Sequence, residues 1–404
     1  MPFDLPMKIA VIEPSGRLYG SEFCLLDAII GLIPRGFEWE VLLPPSQGFD
    51  ELLRQKGIAT WAGMVADLHK LSRWRKFKIY WILRRRLAGS GADLVYLNQA
   101  GMLRAVDSLL LGVGIPLVCQ VQTLEDARFI SRHPGIQRRV CAFICNSRYI
   151  AAEAKVPAEK RCILYQGVDF GEMGPEPLPP VAGEPWRIGI LGRIAESKGH
   201  PVFLAAARLL VAQGRRDLKF VVIGEGLTDA DTQAFCNSVT EAGLAEWFEL
   251  RGYCKDVPSE LKRLHLLVIP SSAEPLGRVL LDACRAGVPA ILSNSGGLGE
   301  FSRDLEIGFR IPPNDPSRLA EEINRFLLDS QKYTRHFRDS ARTVYRRLAP
   351  AGYLAAMEQI LINTASGKNT SIEWFGEPEI EQHTAVDTED SDPRRKTSRY
   401  KAKI

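Results

Sequence analysis

The stretch LLVIPSSAEPLGRVLLDACRAGVPAILSNSGGLGE, from Leu266 to Glu300, decides the fold. It holds two short apolar runs, at 266–270 and 289–293, with an apolar helix ending at Gly287 and Pro289 between them. Continuous apolar runs linked by helices are what strands of a parallel sheet covered on both faces look like. The same alternation continues through WRIGILG (186–192), LKFVVIGEG (218–226), WFELRGY (247–253) and GFRIPP (308–313). It also fills the first half: KIAVIE (8–13), EWEVLLP (38–44), ADLVYLN (92–98), PLVCQVQ (116–122), AFICNS (142–147) and CILYQG (162–167). Between the halves lies GEMGPEPLPPVAGEP (171–185), dense in proline and glycine and without period, hence a linker. The pattern predicts an α/β protein of two doubly wound domains, 1–170 and 186–349, with a ligand cleft at the carboxyl ends of their strands.

After Pro350 an amphipathic stretch (350–365) predicts a helix able to pack back on the first domain. Residues 366–404 are polar, an acidic block from Glu373 to Asp392 followed by RRKTSRYKAK (394–403), and are expected to be unstructured.

Composition narrows the function classes. Hydrophobic residues make up 46% and charged ones 25%, ordinary for a globular protein. A net charge of +4 gives no argument for nucleic acid. No apolar run approaches the roughly 20 residues of a membrane span, and the first residues lack the pattern of a secretory leader. Eight scattered cysteines without a CxxC pair fit a reducing cytoplasm. No histidine has a partner at metal-ligand spacing, so no metal is expected. GEGLTD (224–229) has Asp229 where a dinucleotide fingerprint needs its third glycine, which argues against a nicotinamide enzyme.

Two loops carry candidate chemistry. In GRIAESKGH (192–200), Gly192 ends a strand, and Arg193 and Lys198 precede a helix, a place where two cations and backbone N–H groups can hold a diphosphate. In SSAEPLGR (271–278), Glu274 stands beside a helix start where Leu276, Gly277 and Arg278 offer N–H groups to a phosphate. Glu274 and, deeper in the helix, Asp282 are then placed to accept hydrogen bonds from sugar and ribose hydroxyls. EPSGRLYGSE (13–22) and SNSGGLGE (293–300) are further glycine-bearing loops after strands, each a weak signal alone. HKLSRWRKFKIYWILRRR (69–86) has eight Lys/Arg, no acid and four aromatics. It reads as a helix lying on anionic lipid, as a site for an acidic glycan, or as a basic surface helix whose aromatics face the core.

In this order the motifs resemble those of the retaining GT-B glycosyltransferases of family GT4. LGRIAESKG resembles the family's diphosphate loop. Glu274 to Asp282 resembles its E-x7-E signature, with Asp in place of the second Glu. AGVP and GGLGE resemble its following turn and loop, YGSE (19–22) its first glycine loop, and YQGVD (165–169) the close of its first domain. The resemblance implies two Rossmann-like domains, the first on the acceptor side and the second binding a nucleotide sugar of UDP or GDP type. It implies that Arg193 and Lys198 neutralise the leaving diphosphate without a metal or other cofactor. Glu274 would hold the donor sugar, Leu276 and Gly277 would face sugar and phosphate, and Asp282 would hold the ribose. Gly20 would line the opposite wall, and Gln122 would stand where the family usually has His. The acceptor would be a glycan or lipid-linked hydroxyl in polysaccharide or lipopolysaccharide synthesis, handled in the cytoplasm or peripherally on the inner face of the plasma membrane. A non-catalytic sugar-nucleotide binder and a nucleotide-sugar epimerase are the alternatives.

Overall fold

The computed structural model describes residues 6–15, 20–45, 48–63, 72–254, 256–368 and 370–376. Gly16 to Tyr19, His69 to Leu71 and the basic run 394–403 lie outside them.

The first domain is built on one sheet of parallel strands: β1 (Met7–Ile12), β2 (Phe37–Leu42), β3 (Ala59–Trp61), β4 (Leu94–Leu97), β5 (Leu117–Val121), β6 (Val140–Cys145) and β7 (Arg161–Leu164). Its helices are α1 (Gly20–Leu32), α2 (Phe49–Gln55), α3 (Arg73–Gly89), α4 (Leu103–Leu110), α5 (Leu124–Arg132) and α6 (Arg148–Ala154). The second domain carries β8 (Trp186–Leu191), β9 (Leu218–Ile223), β10 (Phe248–Gly252), β11 (Leu266–Ile269), β12 (Ala290–Ser293) and β13 (Phe309–Ile311), also parallel. Its helices are α7 (His200–Ala212), α8 (Asp229–Glu241), α9 (Val257–Leu261), α10 (Arg278–Ala286), α11 (Gly296–Asp304), α12 (Pro316–Leu328) and α13 (Ser330–Arg347). Each sheet is sandwiched between two apolar layers, as the continuous apolar strands require. Helix starts follow the local chemistry: Thr123 and Ser147 accept N–H bonds from the first turns of α5 and α6, and Thr228 with Asp231 forms a capping box on α8.

Strand order fixes where a ligand can sit. In the first sheet β1 lies between β4 and β2; in the second β8 lies between β11 and β9. The chain therefore leaves β1 and β4, and likewise β8 and β11, to opposite sides, opening a crevice at their carboxyl ends. This is what brings 192–199 and 270–277, some eighty residues apart, to one place.

The halves join at Tyr165–Val168, ahead of the expected linker. Val168 N–H donates to Leu348 O (2.9 Å) and Gly167 lies against Tyr353. The linker's first turn is already fastened to the second domain: Phe170 stacks on Tyr345 at 4.1 Å, and Gly174 bonds Arg285 O and Arg338. Helix α14 (Pro350–Ala365) returns to the first domain, with Tyr353, Met357, Ile360 and Leu361 in its core.

The stretch expected to be unstructured from residue 366 holds a strand among its described residues. Glu373–Trp374 form β14, which extends the first sheet beyond β7. Phe375 then packs edge-on to Tyr165 (5.1 Å) and under the Arg148 guanidinium (4.4 Å). The polar sequence hides this because the strand gains its hydrogen bonds from β7 rather than from any pattern of its own. Phe375→Ala should cost about 2 kcal/mol of stability, read as a lower urea midpoint; an unchanged midpoint would mean that this segment holds nothing.

Candidate active site between the two sheets

The loop after β8 and the loop after β11 are tied together by their backbones, Ser272 N–H donating to Ser197 O at 3.0 Å. Their side chains meet as well. Lys198 Nζ lies 2.9 and 2.7 Å from the two Glu274 oxygens, with the Glu274 side chain only 12% exposed and that of Lys198 30%. The two residues singled out in separate motifs thus form one forked, half-buried ion pair at the crevice.

Behind Glu274 the backbone is packed too closely for side chains. Gly277 caps α10 at φ 95°, and a Cβ there would meet Leu298 at 2.4 Å. Its glycine is required by the turn and by Leu298, besides any approach of a ligand. Gly297 donates to Glu274 O (2.8 Å), and a Cβ on it would sit 1.7 Å from Pro275 O. At the amino end of α10 Leu280 N–H bonds the Gly277 carbonyl (2.8 Å), and the helix presents its positive end there.

Arg278 spans the cleft. Its guanidinium donates to Gly20 O of the first domain at 3.0 Å and contacts Cys24 Sγ at 3.5 Å. Burial raises the carboxyl pKa of both Asp282, one turn along α10, and Asp27 on α1; Arg278 opposes both shifts. Arg278 thus ties Gly20 of the first domain to α10, along which Asp282 follows one turn on. Leu276 is buried.

The other expected residues stand apart from the ion pair. Gly192 ends the β8 line, its N–H bonded to Ile223 O. Arg193 is exposed, and its charge acts on Asp231 at the start of α8. Gln122 follows β5 on the first domain; its carbonyl accepts from Asn146 Nδ2 (3.1 Å).

Glu300 was legible only as a loop acid. Its oxygens accept the N–H groups of Arg148 and Tyr149, both at 2.9 Å, and the Tyr165 hydroxyl at 2.9 Å. A second-domain carboxylate thus caps a first-domain helix, and Asp304 adds a bond from Arg148. Ser147 Oγ also crosses, donating to Pro275 O at 2.7 Å. This joint sets the distance between the two walls.

The first-domain wall contains a second carboxylate pair, fully buried. Glu13 accepts from Ser15 N–H (2.8 Å) and Asn98 Nδ2 (2.5 Å); Glu22 accepts from Ser15, Ser21 and Gln99. Burial, then the Glu22 charge, raises Glu13 to about 7.

Two parallel doubly wound sheets facing across such a cleft form the GT-B fold, which the solved structures below share. Residues 179–344 match the model of the glycosyl transferases group 1 family. The chain resembles alpha-D-kanosaminyltransferase of Streptomyces kanamyceticus, 24% identical over 305 residues, 64% of this chain and 74% of that protein. It also resembles the UDP-Gal:alpha-D-GlcNAc-diphosphoundecaprenol alpha-1,3-galactosyltransferase of Escherichia coli, 26% identical over 58% of this chain and 66% of that one. Other curated relatives are matched over only 35–36% of their length. Among solved structures, Anabaena HepE in complex with UDP and glucose superposes with a TM-score of 0.73 at 20% identity, covering 88% of this chain and all of that one.

Two outcomes test this geometry. Glu300→Ala, which strips the Arg148 and Tyr149 N–H groups of their acceptor while Asp304 still accepts from the Tyr165 hydroxyl, should cost about 2 kcal/mol in chemical unfolding; a loss under 0.5 kcal/mol would deny the joint its role. Folded Glu13 keeps its proton up to about 7 while the unfolded chain releases it near 4.5, so the native state loses stability as pH rises between those values. Glu13→Gln should therefore stabilise by on the order of 3 kcal/mol at pH 8 and by little at pH 4.5. The unpartnered Asn98 Oδ1 can turn to accept the new amide. Equal effects at both pH values would contradict the shift.

Proposed function

We propose that this protein is a retaining glycosyltransferase that moves a sugar from a nucleoside diphosphate sugar, of UDP or GDP type, to a hydroxyl of a glycan or lipid-linked acceptor. The observation that carries the reading is the Lys198–Glu274 pair at the crevice of the donor-side sheet, beside the amino end of α10. Each partner holds a group that a sugar diphosphate can replace: phosphate oxygens compete for the ammonium, and sugar hydroxyls compete for the carboxylate. Asp282 is placed one turn deeper for the ribose, its charge moderated by Arg278 and Arg285. Arg193, exposed at the mouth, reaches the diphosphate by a side-chain swing.

In the proposed reaction the bond from the sugar's anomeric carbon to the diphosphate oxygen breaks ahead of bond formation. Negative charge grows on the diphosphate, where Lys198, Arg193 and the α10 N–H groups await it, with no metal needed. The acceptor oxygen attacks from the face the diphosphate leaves, and a phosphate oxygen takes its proton, which retains the anomeric configuration. The two relatives named above are transferases, one of them named for a diphosphoundecaprenol-linked sugar, and the structural neighbour holds UDP and glucose. These names support a polysaccharide or lipid-linked pathway for this chain.

The test is a panel of UDP- and GDP-sugars screened by thermal shift, followed by turnover with glycan and lipid-linked acceptors. Lys198→Ala should lower kcat by about a hundredfold to a thousandfold, the share of a fixed donor to developing charge, and turnover should persist in excess chelator. Undiminished turnover in Lys198→Ala would overturn the assignment. Tight donor binding without transfer across the panel would make the protein a binder, and product formed without acceptor would make it an epimerase.

A further inference from the structure

Helix α3 carries seven basic residues and no acid in seventeen, and it turns three of its four aromatics outward. Trp74, Phe77 and Trp81 are 83%, 65% and 50% exposed, and Ile82 is exposed beside them. Leu83 and Leu87 are fully buried on the opposite side, with Ile79 and Tyr80 packed against the same core. At about 100° per residue, positions 74, 77, 78, 81 and 85 share one face, and 79, 83 and 87 share the other. The helix is thus apolar on two opposed faces, one of which the fold covers. Aromatics facing the core, one reading of the sequence, is excluded for these three rings.

The basic residues divide in the same way. Arg84 donates inward to Leu109 O (2.8 Å) and Arg86 pairs with Glu40, which anchors the helix. Arg75, Lys78 and Arg85 stand exposed around the three rings, Arg85 stacked on Trp81 at 4.8 Å. Trp74, Phe77 and Trp81 enclose a shallow depression together with the stems of Arg75 and Lys78.

We infer that α3 is a docking surface for an anionic lipid bilayer, lying in its plane with Trp74, Phe77 and Trp81 sunk among the headgroups. Charge complementarity and ring chemistry together select this occupant. A saccharide is held by convergent hydrogen-bonding groups, whereas the shallow depression here is lined by three rings and the stems of Arg75 and Lys78, on a helix whose exposed heads are cations. Indole rings favour the headgroup level, and lysines and arginines around them favour anionic lipid. Among the described residues no helix is long and apolar enough to cross a membrane, so contact of this kind would be peripheral. The inference goes beyond the transfer reading and does not depend on it, since no residue of α3 belongs to the donor site.

The experiment is vesicle flotation of the full chain. Binding should be strong on phosphatidylcholine vesicles containing about one third phosphatidylglycerol, weak on phosphatidylcholine alone, and reduced by salt. The triple variant Trp74→Ser, Phe77→Ser, Trp81→Ser should partition about tenfold less or lower, with its thermal midpoint unchanged because the rings touch no core. In the unaltered protein, brominated lipid should quench tryptophan fluorescence, and Trp74→Phe with Trp81→Phe should remove that quenching. Equal partitioning of the triple variant, or absence of quenching, overturns the proposal. So does retention on a soluble acidic polysaccharide without binding to phosphatidylglycerol vesicles, which would assign the face to a glycan.

Discussion

A lysine and a glutamate neutralise each other at the one point of the second sheet where the chain departs in two directions. Everything proposed about donor binding depends on that placement. The pair exists because β8 and β11 are neighbours in space though not in sequence, and because Ser272 bonds the loop of Ser197. A charge pair exposed to water would be worth little. This one is largely shielded on the carboxylate side, so exchanging its partners for phosphate and hydroxyl groups replaces strong bonds with strong bonds. Such a site stays neutral until the correct charge pattern enters it.

The opposite wall is set by different residues. Arg278 reaches Gly20, Ser147 reaches Pro275, and Glu300 caps α6 while holding Tyr165. These bonds join polar groups across the cleft, beside an apolar joint in which Tyr165 packs on Phe301 and Phe375. Polar bonds can be exchanged when a ligand enters, while the apolar joint holds the two domains together. The crossing at Gly167 and Leu348 is the natural pivot, with Phe375 wedged beside it.

Much of this was written plainly in the sequence. Parallel strands buried on both faces are continuous apolar runs, so all the longer strands were visible. β3, with only Ala59, Thr60 and Trp61, and β14, with Glu373 and Trp374, are too short and too mixed to show a period. Lys198 and Glu274 were legible because glycine, proline and charge recur where loops meet helices. Their mutual contact was not, since sequence distance hides it. Glu300 showed only as an acid in a glycine-bearing loop, and its partners, the N–H groups of Arg148 and Tyr149, lie in the other domain, where sequence spacing cannot place them. The orientation of Trp74, Phe77 and Trp81 depended on which side of α3 meets the sheet, which composition cannot encode.

The most direct measurement is a crystal structure with the nucleotide sugar that the thermal-shift screen selects. Donor binding at this crevice puts Lys198 Nζ on a diphosphate oxygen and the Glu274 carboxylate on sugar hydroxyls, with the bond between those two side chains opened. A diphosphate bound elsewhere, with Lys198 and Glu274 still joined, would contradict it.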